Sequence, residues 1–164
     1  MGESTGVMAG QGTDLIGVLA SGARVWAIAA VHGEAARLAA LHRALEPELR
    51  PGDKLVYLGN YLGPGPAVRD AVDEVLVFRR RFMARPEADC GDIVHLRGAQ
   101  EEMWRKLLQL SFAPNPTEVL AWMLDRGIGP VIEAYGGRPQ EGMIAAREGA
   151  VALSRWTASL RAGF

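Results

Sequence analysis

The sequence has a single cysteine, Cys90. A lone thiol excludes an internal disulfide framework and a thiolate metal cluster, and it suits a reducing compartment such as the cytoplasm. With no base beside it in sequence, Cys90 reads as an inert thiol rather than a nucleophile. Histidine is almost as scarce, with three residues, His32, His42 and His95, all before residue 100. No excess of either charge is present: 18 Lys and Arg stand against 19 Asp and Glu, a formal net charge of -1. That balance gives no general reason for a nucleic-acid partner, and the arginines do not alternate with aromatics as a single-strand binding groove requires. Long apolar runs are missing too. Leu15 to Val31 comes nearest, but Arg24 and several glycines interrupt it, and Glu3 and Asp14 precede it where a signal peptide carries basic residues. Neither membrane nor nucleic acid is expected as a partner.

What is present suits one ordinary globular domain: 164 residues, 49% hydrophobic and 23% charged. Residues 1–22 are rich in Gly, Ser and Thr without periodicity and read as a flexible tail, leaving 23–164 as the domain. Three stretches then repeat one design, an apolar run, a glycine and a polar loop entering a helix: RVWAIAAVHG (Arg24–Gly33), LVYLGNYLGPGP (Leu55–Pro66) and IVHLRGAQEEM (Ile93–Met103). The pattern predicts strands over 25–31, 54–58 and 92–96, each delivering its loop to the carboxyl end of a sheet, where α/β folds place ligands. Helices are predicted from Glu34 to the Pro47 region, over 67–82 and over 100–110. The first carries Ala35, Leu38, Leu41 and Leu45 on its inner stripe, with Arg37, His42 and Arg43 to the side; the second turns Val68, Val72, Val75 and Leu76 inward. Asp70, Asp73 and Glu74 read as its solvated face, and Arg79, Arg80 and Arg81 as a basic end complementing the helix dipole.

Strand signals are absent after residue 96, and after Pro114 and Pro116 the character shifts. Thr117 to Arg126 reads as a helix capped by its threonine, Ile128 to Tyr135 as a short helix, GGRP as a turn and Gly142 to Leu160 as further helical pieces. The Trp and Met side chains of this half are expected to be packing residues. The fold class is therefore α/β (α+β): a short, mainly parallel sheet of about three strands with flanking helices and a helical C-terminal half. GNYLGPGP lacks the Lys-Ser/Thr ending of a phosphate loop, and no GxGxxG opens the first helix.

AAVHG at Ala29–Gly33, GNYLGPG at Gly59–Gly65 and GAQE at Gly98–Glu101 resemble, in order and spacing, the GDxHG, GDxxDRG and GNHE signatures of the calcineurin-like metallophosphoesterases. The likeness is greatest to their bacterial serine/threonine protein phosphatase and dinucleoside-tetraphosphatase branch, and it runs on through Trp122, the Gly127 turn and Tyr135–Gly136. In active members two metal ions, usually manganese, iron or zinc, activate a water and clamp phosphate, which demands oxygen or nitrogen ligands and a bridging carboxylate. Against that pattern the first aspartate falls on Ala30, while the histidine is kept as His32. The bridging aspartate falls on Asn60, the next aspartate on Gly63 and the phosphate-gripping arginine on Pro64. The asparagine ligand falls on Ala99, the general-acid histidine on Gln100, and the supporting glutamate is kept as Glu101. The family's later histidine ligands have no counterpart, and its second group of strands would begin near Phe164.

The resemblance thus implies a truncated metallophosphoesterase-like fold with a vestigial site of His32, Asn60, Gln100 and Glu101. No catalytic residue, metal or other cofactor is expected, and the role is binding, regulation or scaffolding. The alternative is a rewired metal-dependent phosphatase or dinucleoside polyphosphate hydrolase holding one weak divalent ion such as manganese. A sheet face lacking its usual partner is expected to be covered by the late helices, by a second copy in a symmetric dimer, or by another protein.

Overall fold

The computed structural model describes residues 22–163. The expected N-terminal tail lies, but for Gly22, outside the described residues. Three short strands, β1 (Val25–Ile28), β2 (Lys54–Tyr57) and β3 (Ile93–His95), form one parallel sheet in the order β1-β2-β3. Helix α1 (Ala35–Leu45) joins the first pair and α2 (Val68–Met83) leads from the second strand toward the third. Because the strand order advances in one direction, right-handed crossovers place both helices on the same face.

Register shows which residues that face receives. The rows Trp26–Leu55–Ile93 and Ile28–Tyr57–His95 point one way, and the row Ala27–Val56–Val94 points the other. Ile28, Leu55, Tyr57 and Ile93 are buried with Leu38 and Leu45 of α1 and Ala71, Val75, Phe78 and Phe82 of α2. The opposite face has no cover among the described residues. Val25, Leu58, Val94 and Leu96 are all at least 40% exposed there, although parallel sheets are normally sheathed on both sides.

The remaining chain is helical: α3 (Ala99–Leu107), α4 (Pro116–Asp125), α5 (Gly129–Ala134), α6 (Pro139–Glu148) and α7 (Ala150–Gly163). Leu107, Leu110, Leu120, Met123, Ile128, Ile132, Leu153 and Leu160 fill a second core, which meets the sheet half through Leu62 and Val68. The late helices therefore pack beside the loops and α2, and the first of the three expected covers for the sheet is not the one observed. None of the described helices is long and apolar enough to cross a membrane.

Several details differ from expectation. β1 ends at Ile28 rather than Val31, because the N–H groups of Val31 and His32 both donate to the carbonyl of Asn60 and leave the ladder. On α1 the buried stripe is Leu38, His42 and Leu45, and Leu41 is 45% exposed. On α2 Ala71, Phe78 and Phe82 face inward, whereas Leu76 does not. Asn115, with Pro116 in the first helical position, caps α4 two residues before the expected threonine cap, Thr117. Trp104, Trp156 and Met123 are packing residues as expected; Trp122 is half-exposed.

Candidate functional site

The three glycine loops meet at the carboxyl end of the sheet. The first two are stitched by backbone: Val31 and His32 donate to the carbonyl of Asn60 at 3.0 and 2.8 Å, Gly33 donates to that of Tyr61 at 2.9 Å, and Gly65 donates back to that of His32 at 2.7 Å. The second and third are closer still. A Cβ at Gly59, whose φ is +86°, would lie 2.3 Å from the backbone nitrogen of Gly98, so only glycine fits this crossing. Asn60 and His32 hold positive φ values of 56° and 51° without being glycine. Such backbone persists where surrounding bonds over-determine it, and here those bonds are the loop-to-loop set just described.

Side chains complete the junction. Glu101, on the first turn of α3, accepts the N–H of Gly98 at 2.8 Å, a reach-back of capping-box type. The same carboxylate crosses to the second loop, accepting the N–H of Asn60 at 2.7 Å and of Leu62 at 3.0 Å. Asn60 answers through Oδ1, which accepts the backbone N–H of Gln100 at 2.9 Å. The Gln100 side chain donates from Nε2 to the carbonyl of Arg126 at 3.3 Å, tying the junction to the end of α4. Three of the four residues singled out in the sequence, Asn60, Gln100 and Glu101, thus form one hydrogen-bonded unit.

His32 stands apart from that unit in its side chain. Its Nδ1 is buried with no hydrogen-bond partner, as is Gln100 Oε1. Gly63 lies close against that ring: a Cβ there, where φ is +153°, would fall 2.8 Å from His32 Nδ1. An aspartate at 63 would have to displace the histidine ring or the loop. Ala30 lies beside His32 on an open cleft of about 380 Å³ between the end of β1 and the start of α1, whose floor includes Ile28 and Leu38. Pro64 and Ala99 are exposed and supply no ligating side-chain atom.

Nearby aromatic groups are shifted by burial. Tyr61 bonds the carbonyl of Leu96 through its hydroxyl at 3.1 Å; burial, helped by the Glu101 charge, pushes its phenol up to about 12. His95 stacks on Tyr57 with ring centroids 5.0 Å apart, and burial first, then the Arg79 charge, lowers its pKa.

A second polar cluster escaped the sequence reading. His42 is 1% exposed, yet both ring nitrogens are bonded: Nδ1 to Glu74 Oε1 at 2.7 Å and Nε2 to the Tyr57 hydroxyl at 2.8 Å. An ionised carboxylate only accepts, so Nδ1 carries the proton and Nε2 accepts from the phenol. The ring also stacks on Phe78, centroids 3.9 Å apart. Burial lowers the His42 pKa despite the opposing pull of Glu74, so the neutral ring is the form the core selects. Glu74 is therefore a partner of the core rather than part of a solvated face. The signal was present: His42 lies four residues after Leu38 and three before Leu45, on the same stripe.

At the opposite end of the sheet Asp53 is buried, accepting from Arg24 Nε at 2.8 Å, Trp26 Nε1 at 3.0 Å and Arg50 N at 2.8 Å. Arg24 first among these holds its carboxyl well below the usual range. Cys90 is exposed, and Arg79, Arg80 and Arg81 are exposed on the last turns of α2. Among the described residues no three His, Cys, Asp or Glu side chains gather as a possible metal-binding group.

No protein-family model, curated protein or solved structure matches this chain.

Proposed function

We propose that the chain is a metallophosphoesterase-like domain that does not hydrolyse phosphate and serves instead as a binding, regulatory or scaffold module. The observation that carries this reading is the commitment of Glu101 and Asn60 to backbone N–H groups at the loop junction. Glu101 has about four acceptor sites, and three backbone N–H groups already occupy three of them. Asn60 spends its oxygen on Gln100. That donor set is a poor fit to a two-metal centre, which needs a bridging carboxylate at the position of Asn60 and ligating atoms at Ala30, Gly63 and Ala99. The same frame has become a staple that joins three loops.

The uncovered sheet face is the surface on which this reading places a partner, and a second copy related by two-fold symmetry is the simplest occupant. Light scattering over a wide concentration range is then expected to show a dimer. The hydrolytic test uses the native chain with manganese and p-nitrophenyl phosphate. No turnover is expected; turnover that vanished in His32→Ala would reject the non-catalytic reading.

One observation favours a second reading. His32 Nδ1 and Gln100 Oε1 are buried without partners, and such orphaned atoms are the groups a single divalent ion such as manganese would satisfy. On that reading the domain keeps a weak one-metal phosphatase or dinucleoside polyphosphate hydrolase site.

A further inference from the structure

β1 is an outer strand of the sheet, and among the described residues no strand pairs with its far side. A parallel ladder bonds alternate residues of a strand to one neighbour. Arg24 and Ile28 give their carbonyls to the N–H groups of Lys54 and Leu58. The backbone groups of Val25 and Ala27 therefore face outward, and both residues are exposed. Open edges are commonly blunted by charge or proline; β1, with the sequence VWAI, has neither. Beside this edge lies the cleft of about 380 Å³, where Leu41 of α1 shares the lining with Ile28, Ala29 and Ala30.

Chain connectivity selects the occupant. Residues 1–21 lie outside the described residues and enter β1 directly through Gly22. Gly22 holds a φ of +84°, yet a Cβ there would meet no heavy atom within 4 Å, so a turn of the backbone rather than close packing calls for glycine. Ser-Gly is a turn dipeptide, and glycine at positive φ suits the second position of a two-residue hairpin loop. Just before it stands LIGVLA (Leu15–Ala20), the one sustained apolar run in residues 1–21. A loop at Ser21–Gly22 makes Ala20 with Ala23, Val18 with Val25 and Ile16 with Ala27 the hydrogen-bonded pairs. Val25 and Ala27 are the two residues of β1 whose groups are free. The same register sets Leu15 beside Ile28, at the cleft, and Gly17, which has no side chain, beside Trp26.

From this we infer that residues 15–20 pair antiparallel with the free edge of β1 as a fourth strand, with Leu15 closing the cleft beside Ala30 and His32. The cleft is then filled from within the chain. The open face of the sheet stays uncovered and gains Ile16 and Val18, so the inference stands apart from the reading proposed above.

The test is amide hydrogen exchange on the full chain. The N–H groups of Val25 and Ala27 should exchange at least about tenfold more slowly than in Val18→Pro, which removes a ladder donor. Ile16→Pro, at the other hydrogen-bonded position, should act alike, and neither should alter exchange in β2. In a Cys90→Ser background, Val18→Cys with Val25→Cys should close a disulfide within the chain, because directly opposed residues lie in bridging range. Val18→Cys with Ala27→Cys, a diagonal pair, should not. Equal exchange in native and proline chains, or equal crosslinking of both pairs, would overturn the inference. So would protection that survives the prolines and falls on dilution, since a second copy would then hold the edge.

Discussion

The two faces of the sheet differ in what their apolar residues meet. Tyr57 and Leu55 of β2 are fully buried under α1 and α2 on one face, while Leu58, just past β2, and Val94 of β3 are 48% and 40% exposed on the other. Val25, Val56 and Val94 keep the open face largely apolar although Lys54 shares it, and parallel sheets are normally covered on both sides. The lesson is that composition describes the sheet's expected surroundings, whereas crossover handedness decides which surroundings the described chain itself provides.

Substitutions on each face should sharpen that contrast. Phe78→Ala, beneath the covered face, removes a fully buried ring and the stack on His42, and should cost about 3–5 kcal/mol in urea unfolding. A loss under about 1 kcal/mol would mean the two helices are not the main support of the sheet.

Next in size is the loop junction. Glu101→Ala strands the N–H groups of Gly98, Asn60 and Leu62, and a cost of about 3 kcal/mol is expected from unsatisfied donors. Glu101→Gln keeps one acceptor oxygen and should cost less. Equal costs for the two would show that packing, rather than hydrogen bonding, holds the junction.

The covered face should also respond to pH, through His42. Its pKa is lowered in the fold by burial, so the unfolded chain binds the proton first as pH falls. Stability due to the neutral ring is therefore complete above about 6.5, the unfolded value, and is lost as pH drops from there through the lower folded value, at most about 1.4 kcal/mol per pH unit. His95 shifts in the same direction, so His42→Gln should shrink the slope of stability between neutral and mildly acidic pH without abolishing it. An unchanged slope would assign the effect elsewhere.

The smallest effect is expected on the open face. Leu58→Ser or Val94→Thr should move the unfolding free energy of the monomer by no more than about 0.5 kcal/mol while weakening any self-association seen by light scattering. A large loss of monomer stability would show that the face is covered within the chain.

Much of this was legible in the residues. The three strand–glycine–loop frames, the parallel sheet and the helical second half follow from apolar runs, their punctuation and the change of period, and the loops do converge. Asparagine bonds backbone readily, but the N–H that Asn60 Oδ1 accepts is that of Gln100 on the third loop, which no local pattern shows. The inner stripes of α1 and α2 were only partly legible. Leu41 and His42 are adjacent, and a helical stripe admits either; preferring leucine to histidine inside ignored that Tyr57 and Glu74, distant in sequence, satisfy both ring nitrogens. Leu76 and Val75 posed the same choice on α2, settled by Phe78 and Phe82 falling in line with Val75. Glu101 bridging two loops, and the exposure of Trp122, depend on tertiary placement that no local pattern encodes.

The central proposal is that Glu101 and Asn60 staple the loops through backbone N–H groups instead of holding a pair of metal ions. Calorimetric titration of the native chain with manganese tests that directly. We expect no saturable tight binding, or at most one weak ion that disappears in His32→Ala. Two tightly held ions per chain, with an unchanged fold, would contradict it.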